Sequence, residues 1–171
     1  MRHLRTSAAG PVRLAPRGFT LIELLIAVAI GALLLTLGVP FFGDYVANAR
    51  LREGGSAVHA ETLHAQSEAI RRNATVRLTV DGATMRLLDM STGGAGTLIR
   101  STLLPDPVQF TAAADLDFGS DGRPVPFGTS YAVDLTATGE TCSAERRCPG
   151  LRVDAGGGVR LCADRLSGCA S

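Results

Sequence analysis

"RGFTLIELLIAVAI", residues 17–30, decides how the chain is read. An arginine and a glycine stand directly before a long apolar run, and one carboxylate, Glu23, sits inside that run. From Phe19 to Phe42, Glu23 is the sole ionisable side chain. Leu21 to Val39 is otherwise apolar apart from glycine and Thr36, which is long enough to cross a bilayer as a helix. A charge in such a run is costly and points to a specific role. An ordinary secretory signal has a shorter apolar region that ends at a small-residue cleavage site. Ala27-Val28-Ala29 has that composition but lies in the middle of the run.

Before the run, residues 1–17 carry Arg2, Arg5, Arg13 and Arg17 and no acid. A basic leader of this kind stays cytoplasmic, so the rest of the chain is expected to emerge on the far side of the membrane. From Phe19 onward 13 Arg face 16 acids, a balance of −3 within a chain of net charge +1. The 171 residues suffice for one domain plus an extension.

After the run, Pro40 removes a backbone donor and is expected to kink or loosen the helix. Helical spacing resumes over residues 44–73. Val46, Ala49, Ala57, Ala60, Leu63, Ser67 and Ile70 make the expected buried stripe, with a break or bend expected at Gly54-Gly55. Asn73, beside Arg71 and Arg72, reads as the C-terminal cap. From Thr75 the period changes to two. "TVRLTV" alternates, Asp81-Gly82 reads as a turn, and "ATMRLLDM" returns as the second strand of a hairpin. Further strands are expected near 97–104, 107–111, 114–119, 130–136, 150–154 and 158–163, separated by glycine- and proline-rich turns. The expected fold is α+β, a long N-terminal helix packed on an antiparallel β-sheet domain.

Four cysteines, Cys142, Cys148, Cys162 and Cys169, lie in the last 30 residues. An even number in one small region points to disulfides and an oxidising compartment. The spacings lack the short two-residue gap that usually clamps zinc, and no metal is expected. Three pairings are open, and the two local ones, Cys142–Cys148 and Cys162–Cys169, are the expectation.

Gly18-Phe19-Thr20-Leu21-Ile22-Glu23 resembles the type III signal of type IV pilins and type II secretion pseudopilins. The resemblance implies a cut by prepilin peptidase after Gly18 and methylation of the new N-terminus, Phe19. It also implies that Glu23 is an assembly contact, meeting the N-terminal amine of a neighbouring subunit, and that Pro40 is a helix-kinking proline. Three further segments resemble the GspH/FimT group of minor pilins and pseudopilins: "SEAIRRNATVRLTV" (Ser67–Val80), "LDFGSDGRPV" (Leu116–Val125) and "GGGVRLCADRLSGC" (Gly156–Cys169). They imply a type IV pilin-like fold. On this basis the chain divides into a cleaved leader (1–18), a transmembrane helix half (19–42), an amphipathic helix half (43–73) and a β domain with a Cys-rich end (74–171). Its partners would be other pilins or pseudopilins, the peptidase and an inner-membrane assembly platform. Its place would be the bacterial inner membrane with the C-terminal domain periplasmic, then a pseudopilus or pilus.

Catalysis is not expected. His59 and His64 lie five residues apart, not at the spacing of four that holds zinc on a helix. Asp115 and Asp117 alternate on a strand as solvated acids, and no nucleophile motif is present. No cofactor is expected. DNA is the second reading. FimT-type members resemble DNA-uptake receptors that use a C-terminal G-R-x-R segment, and the matching stretch here is Gly157-Gly158-Val159-Arg160, with Gly158 in place of the first Arg. The last 30 residues carry five Arg against three acids, and residues 101–141 carry one Arg against six acids. Arg146, Arg147, Arg160 and Arg165 are the candidate phosphate contacts.

Overall fold

The computed structural model describes residues 19–167 and Cys169, with backbone alone over 37–42. The expected leader, Gly18 and the side chain of Pro40 lie outside the described residues. The chain divides into two units, one ending at Pro40 and the other starting at Phe41. Helical backbone α1 is assigned over Leu21–Arg72, including Pro40.

In the first unit, helix formation follows from a run of leucine, isoleucine and alanine with no glycine except Gly31 before Thr36. From Phe19 to Thr36 every side chain is exposed, with Gly31 alone half-buried. Among the described residues, no helix is long and apolar enough to cross a membrane. The expected span continues into 37–42, whose side chains are outside the description.

In the second unit, eight antiparallel strands follow the helix: β1 (Val76–Asp81), β2 (Thr84–Asp89), β3 (Thr97–Leu103), β4 (Val108–Phe110), β5 (Ala114–Phe118), β6 (Tyr131–Ala137), β7 (Gly150–Val153) and β8 (Val159–Cys162). Each falls within one residue of its expected limits. They form two four-stranded sheets, ordered β3-β2-β1-β5 and β4-β6-β7-β8. Alternation sets the inner faces. Val76, Leu78 and Val80 of β1, Met85 and Leu87 of β2, and Leu116 and Phe118 of β5 are fully buried. Val133 and Leu135 of β6 and Leu151 and Val153 of β7 close the same core from the second sheet. The β1–β2 turn is centred one residue later than expected. Asp81 pairs with Thr84, so Gly82 and Ala83 are the loop residues. Gly82 takes φ +56°, which suits a glycine at the first loop position.

The helix stripe is a correction. The face against the sheets is Leu51, Gly54, Gly55, Val58, Glu61, Thr62, Ala65, Glu68 and Ala69. Leu63 is 45% exposed and Ile70 56%, so these expected core positions face out. Nor does the helix break at Gly54-Gly55. A Cβ at Gly54 would lie 2.9 Å from Val108 Cγ1, and one at Gly55 would lie 3.0 Å from Pro149 Cβ. The two glycines are the centre of the contact, not a gap in it. Their small size lets the helix backbone reach the second sheet, and the apolar burial this allows outweighs about 1 kcal/mol of helix propensity lost at each.

The helix ends as a Schellman turn. Asn73 takes φ +50°, its N–H donates to Ile70 O, and Ala74 N–H donates to Ala69 O. Asparagine tolerates the left-handed conformation better than other side chains, which is why the cap was legible.

Gly54→Val is expected to destabilise the protein by about 1–3 kcal/mol through overpacking against Val108. Urea unfolding of the two proteins measures this, and an unchanged midpoint would remove the glycines from the contact.

Candidate functional site

The start of the helix is built by Thr20. Its hydroxyl accepts a hydrogen bond from Glu23 N–H at 3.2 Å, and its carbonyl accepts from Leu24 N–H at 3.1 Å. Thr20 is therefore the N-cap and Glu23 the third helical residue, the T-x-x-E arrangement of a capping box. This local signal was present in the sequence and unread there. Phe19, just outside the cap, is 83% exposed. The Glu23 carboxylate is exposed, and among the described residues it has no hydrogen-bond or ion-pair partner. It stands in the first turn, where the helix dipole favours an anion.

At the other end of the chain, the cysteines are joined Cys142–Cys148 and Cys162–Cys169, with Cα separations of 5.7 and 5.4 Å. The first loop is held to the helix by Asn48. Its amide donates to Glu145 O at 2.8 Å, and its carbonyl accepts from Arg147 N–H at 3.1 Å. Arg146 is taken up by two carboxylates, Asp44 at 2.7 Å and Glu140. Next to this clamp lies an open groove of about 400 Å³. Tyr45, Asn48 and Arg52 form its helix wall, and Leu161 and Ala163 its strand wall, with Arg147 and Glu145 at the loop.

The four candidate DNA contacts do not form one free cationic surface. Arg146 is neutralised as described, and Arg165 lies 4.0 Å from Asp134. Arg147 opens to the groove. Arg160 projects from β8 and is exposed. Gly158 sits against a carboxylate in the β7–β8 turn. Asp154 folds over the β7–β8 turn, where its carboxylate accepts N–H bonds from Gly156 and Gly158, both at 2.9 Å. A Cβ at Gly158 would meet that carboxylate at 2.5 Å. A larger side chain there would push the Asp154 carboxylate aside.

Other polar contacts were not expected from the sequence, and Asp115 and Asp117, read there as solvated acids, are instead paired with Arg77. Gln66 donates to Gly122 O at 3.0 Å and to Gly157 O at 2.7 Å, tying two distant turns to the helix. Glu68, nearly buried, accepts from Arg71 at 2.6 Å and from Arg72 at 2.7 Å, and Arg72 also reaches Asp89 at 2.9 Å. Asp115 and Asp117 are Arg77's partners across the β1–β5 pair, at 3.4 and 2.6 Å. The Tyr131 hydroxyl donates to Val125 O at 2.9 Å and accepts from Asp117 N–H at 3.1 Å. Glu68 and its arginines stand at helical spacings of three and four, a local signal, whereas the partners of Gln66, Arg77 and Tyr131 are distant in the chain and leave no periodic trace.

Two family matches cover the chain in order. The prokaryotic N-terminal methylation motif matches residues 14–39, and type II transport protein GspH matches residues 56–157. The chain belongs to the GspH family. Its fold is that of type IV minor pilin FimU from Pseudomonas aeruginosa, at TM-score 0.55 and 16% identity over 68% of this chain and 91% of that one. It is also that of minor pseudopilin EpsH from Vibrio cholerae, at TM-score 0.51 and 14% identity over 72% of this chain and 98% of that one. The GspH match includes Gln66, Glu68 and the Asp154 turn. It stops short of Tyr45, Asn48 and Arg52 on one side and of Leu161 on the other, so most of the groove lies outside it.

Two predictions follow from this geometry. Each disulfide closes a short loop, so replacing Cys142 and Cys148 by serine is expected to lower unfolding free energy by about 2 kcal/mol, read from urea unfolding. Glu68 is held at about 2, below its ordinary 4.5, chiefly by the hydrogen bonds from Arg71 and then Arg72, against the opposing effect of burial. A carboxyl depressed in this way stabilises the fold above its unfolded value and loses that contribution as the pH falls through its folded one. Unfolding free energy is therefore expected to drop between about pH 4.5 and about 2, and Glu68→Gln to flatten that drop. An identical slope in the variant would assign the acid sensitivity elsewhere.

Proposed function

We propose that this GspH-family chain is a minor pseudopilin or pilin subunit, cut by prepilin peptidase between Gly18 and Phe19 and methylated on Phe19. Its N-terminal helix anchors it in the inner membrane with the C-terminal domain in the periplasm. An assembly platform then moves it into a type II secretion pseudopilus or a type IV pilus beside other pilins. Its work is assembly, not catalysis.

The observation that supports this reading is the apolar helix surface itself. Leu24, Leu25, Ile26, Val28, Ile30 and Leu33 to Leu35 are each more than half exposed. Successive positions such as these point in all directions around a helix, and a helix apolar on every side needs lipid or neighbouring helices around it. An N-terminal methylation motif on the same segment fits removal of a leader ahead of a helix that must be kept. Glu23 then has two separable jobs. Its backbone and side chain suit the capping position, and its free charge suits the amine of an adjacent subunit's Phe19. Pro40 would loosen the helix between its membrane and soluble halves.

Mass spectrometry of the membrane-extracted protein is expected to find an N-terminus at Phe19 carrying one added methyl group; an intact leader would sink the proposal. Glu23→Gln keeps a capping-box residue and removes the charge, whereas Glu23→Ala removes both. Both variants are expected to be cleaved and to be lost from sheared fibres. Normal incorporation of Glu23→Gln would reduce Glu23 to a helix cap.

A further inference from the structure

We propose that the edge of β8, unpaired among the described residues, is with the groove beside it a docking site for an extended acidic peptide segment of a partner protein, which adds to the sheet as a ninth strand. The surface belongs to the unit from Phe41 onward, and its test does not depend on the fibre reading.

The backbone pattern shows the edge. β8 is the last strand of its sheet. Asp154 N–H donates to Gly158 O, which marks these two as a hydrogen-bonded pair of the β7–β8 hairpin. Bonded and non-bonded pairs alternate along an antiparallel ladder. Given the pairs Val153–Val159, Arg152–Arg160 and Leu151–Leu161, the N–H and C=O of Arg160 turn toward β7. Those of Val159 and Leu161 turn outward, and among the described residues they find no other backbone partner. Two outward positions, spaced one residue apart, are the template on which an extended peptide pairs.

The groove supplies the side-chain recognition. Tyr45, Asn48 and Arg52 follow a three- and four-residue spacing on the helix and run along the same edge. Leu161 lies over Gly55, leaving about 400 Å³ open beside it, room for a few side chains but not for a duplex. Tyr45 is 71% exposed and Leu161 38%, an apolar lining that phosphates do not need.

Charge selects the occupant. Most described arginines lie against a carboxylate, as Arg146, Arg152 and Arg165 do nearby. Arg52 and Arg147 at the groove, and Arg160 on the opposite face of β8, have no carboxylate within ion-pair distance among the described residues. Two acids lie nearby: Glu145 accepts from Ser143, and Asp164 is held below the ordinary carboxylate range by bonds from Leu166 N–H and Ser167 and then by the charges of Arg147 and Arg165, which leaves Arg52 the groove cation without such a neighbour among the described residues. Unmatched guanidinium groups around an apolar slot complement carboxylates spaced along a strand, with an apolar side chain between them. Nucleic acid is disfavoured by the apolar wall, which offers phosphates nothing.

The probe is a short fluorescein-labelled peptide alternating glutamate and valine, added to the detergent-solubilised full chain and read by anisotropy. Controls carry lysine for glutamate, or proline in place of valine to remove backbone donors. The glutamate peptide is expected to bind, and both controls to fail. Binding should slow hydrogen exchange in the segment containing Val159 and Leu161. The surface variant Arg52→Glu with Arg147→Glu should weaken the glutamate peptide by about tenfold or more and gain the lysine peptide. Equal binding of acidic and basic peptides, an unaffected variant, or unchanged exchange at β8 would overturn the proposal. So would salt-sensitive binding of a mixed-sequence DNA duplex with none of the peptide, which would assign these arginines to nucleic acid.

Discussion

The close approach of the helix at Gly54 and Gly55 to Val108, Pro149 and Leu161 is the constraint on which the soluble half depends. With two hydrogens where side chains would stand, the helix backbone comes down onto the second sheet. Leu51 and Val58, one turn to either side, then reach the common core. The same approach brings Asn48 to the Cys142–Cys148 loop and Gln66 to the turns at Gly122 and Gly157. These polar clamps lie at the rim of the apolar contact. Each holds backbone groups that would otherwise be stranded there. Two sheets that share no strand close one core, bridged by the helix and by Tyr131 of β6, whose hydroxyl accepts from Asp117 N–H of β5.

The two units have opposite relations to water. From Phe41 onward the apolar surface is mostly turned inward, and the remaining exposed charges are largely paired with one another. From Phe19 to Thr36 the apolar side chains are exposed among the described residues. A subunit of a GspH-family fibre has reason for both. The part from Phe41 onward buries its own apolar core, whereas a helix apolar on every side is satisfied only when lipid or other helices surround it. Glu23 stands in the capped first turn, and its exposed carboxylate has no partner among the described residues.

The strands and the helix cap were legible because each rests on a local pattern. Val76, Leu78 and Val80 alternate, and Asn73 tolerates a conformation that most residues avoid. The buried helix stripe was not legible. Leu63 and Ile70 look like core residues, and Gly54 and Gly55 look like a helix break. Which face is inward was decided by what the sheets bring against it. A glycine pair is destabilising in an isolated helix and necessary in a crowded one. The candidate DNA contacts divided for a similar reason. Arg146 and Arg165 count as free charges in a sequence, but Asp44 and Asp134 reach them only in the folded chain.

Sequence alone determined the N-terminal methylation motif, the apolar helix, the eight strands and the family resemblance. Each depends on residues within a few positions of one another, where period, composition and turn chemistry act directly. Tertiary structure alone decided the close helix contact, the clamps of Asn48 and Gln66, the Asp154 carboxylate that occupies the space beside Gly158, and the open edge of β8. Each of these joins groups set apart by the topology, and their energies come from partners that no local pattern encodes.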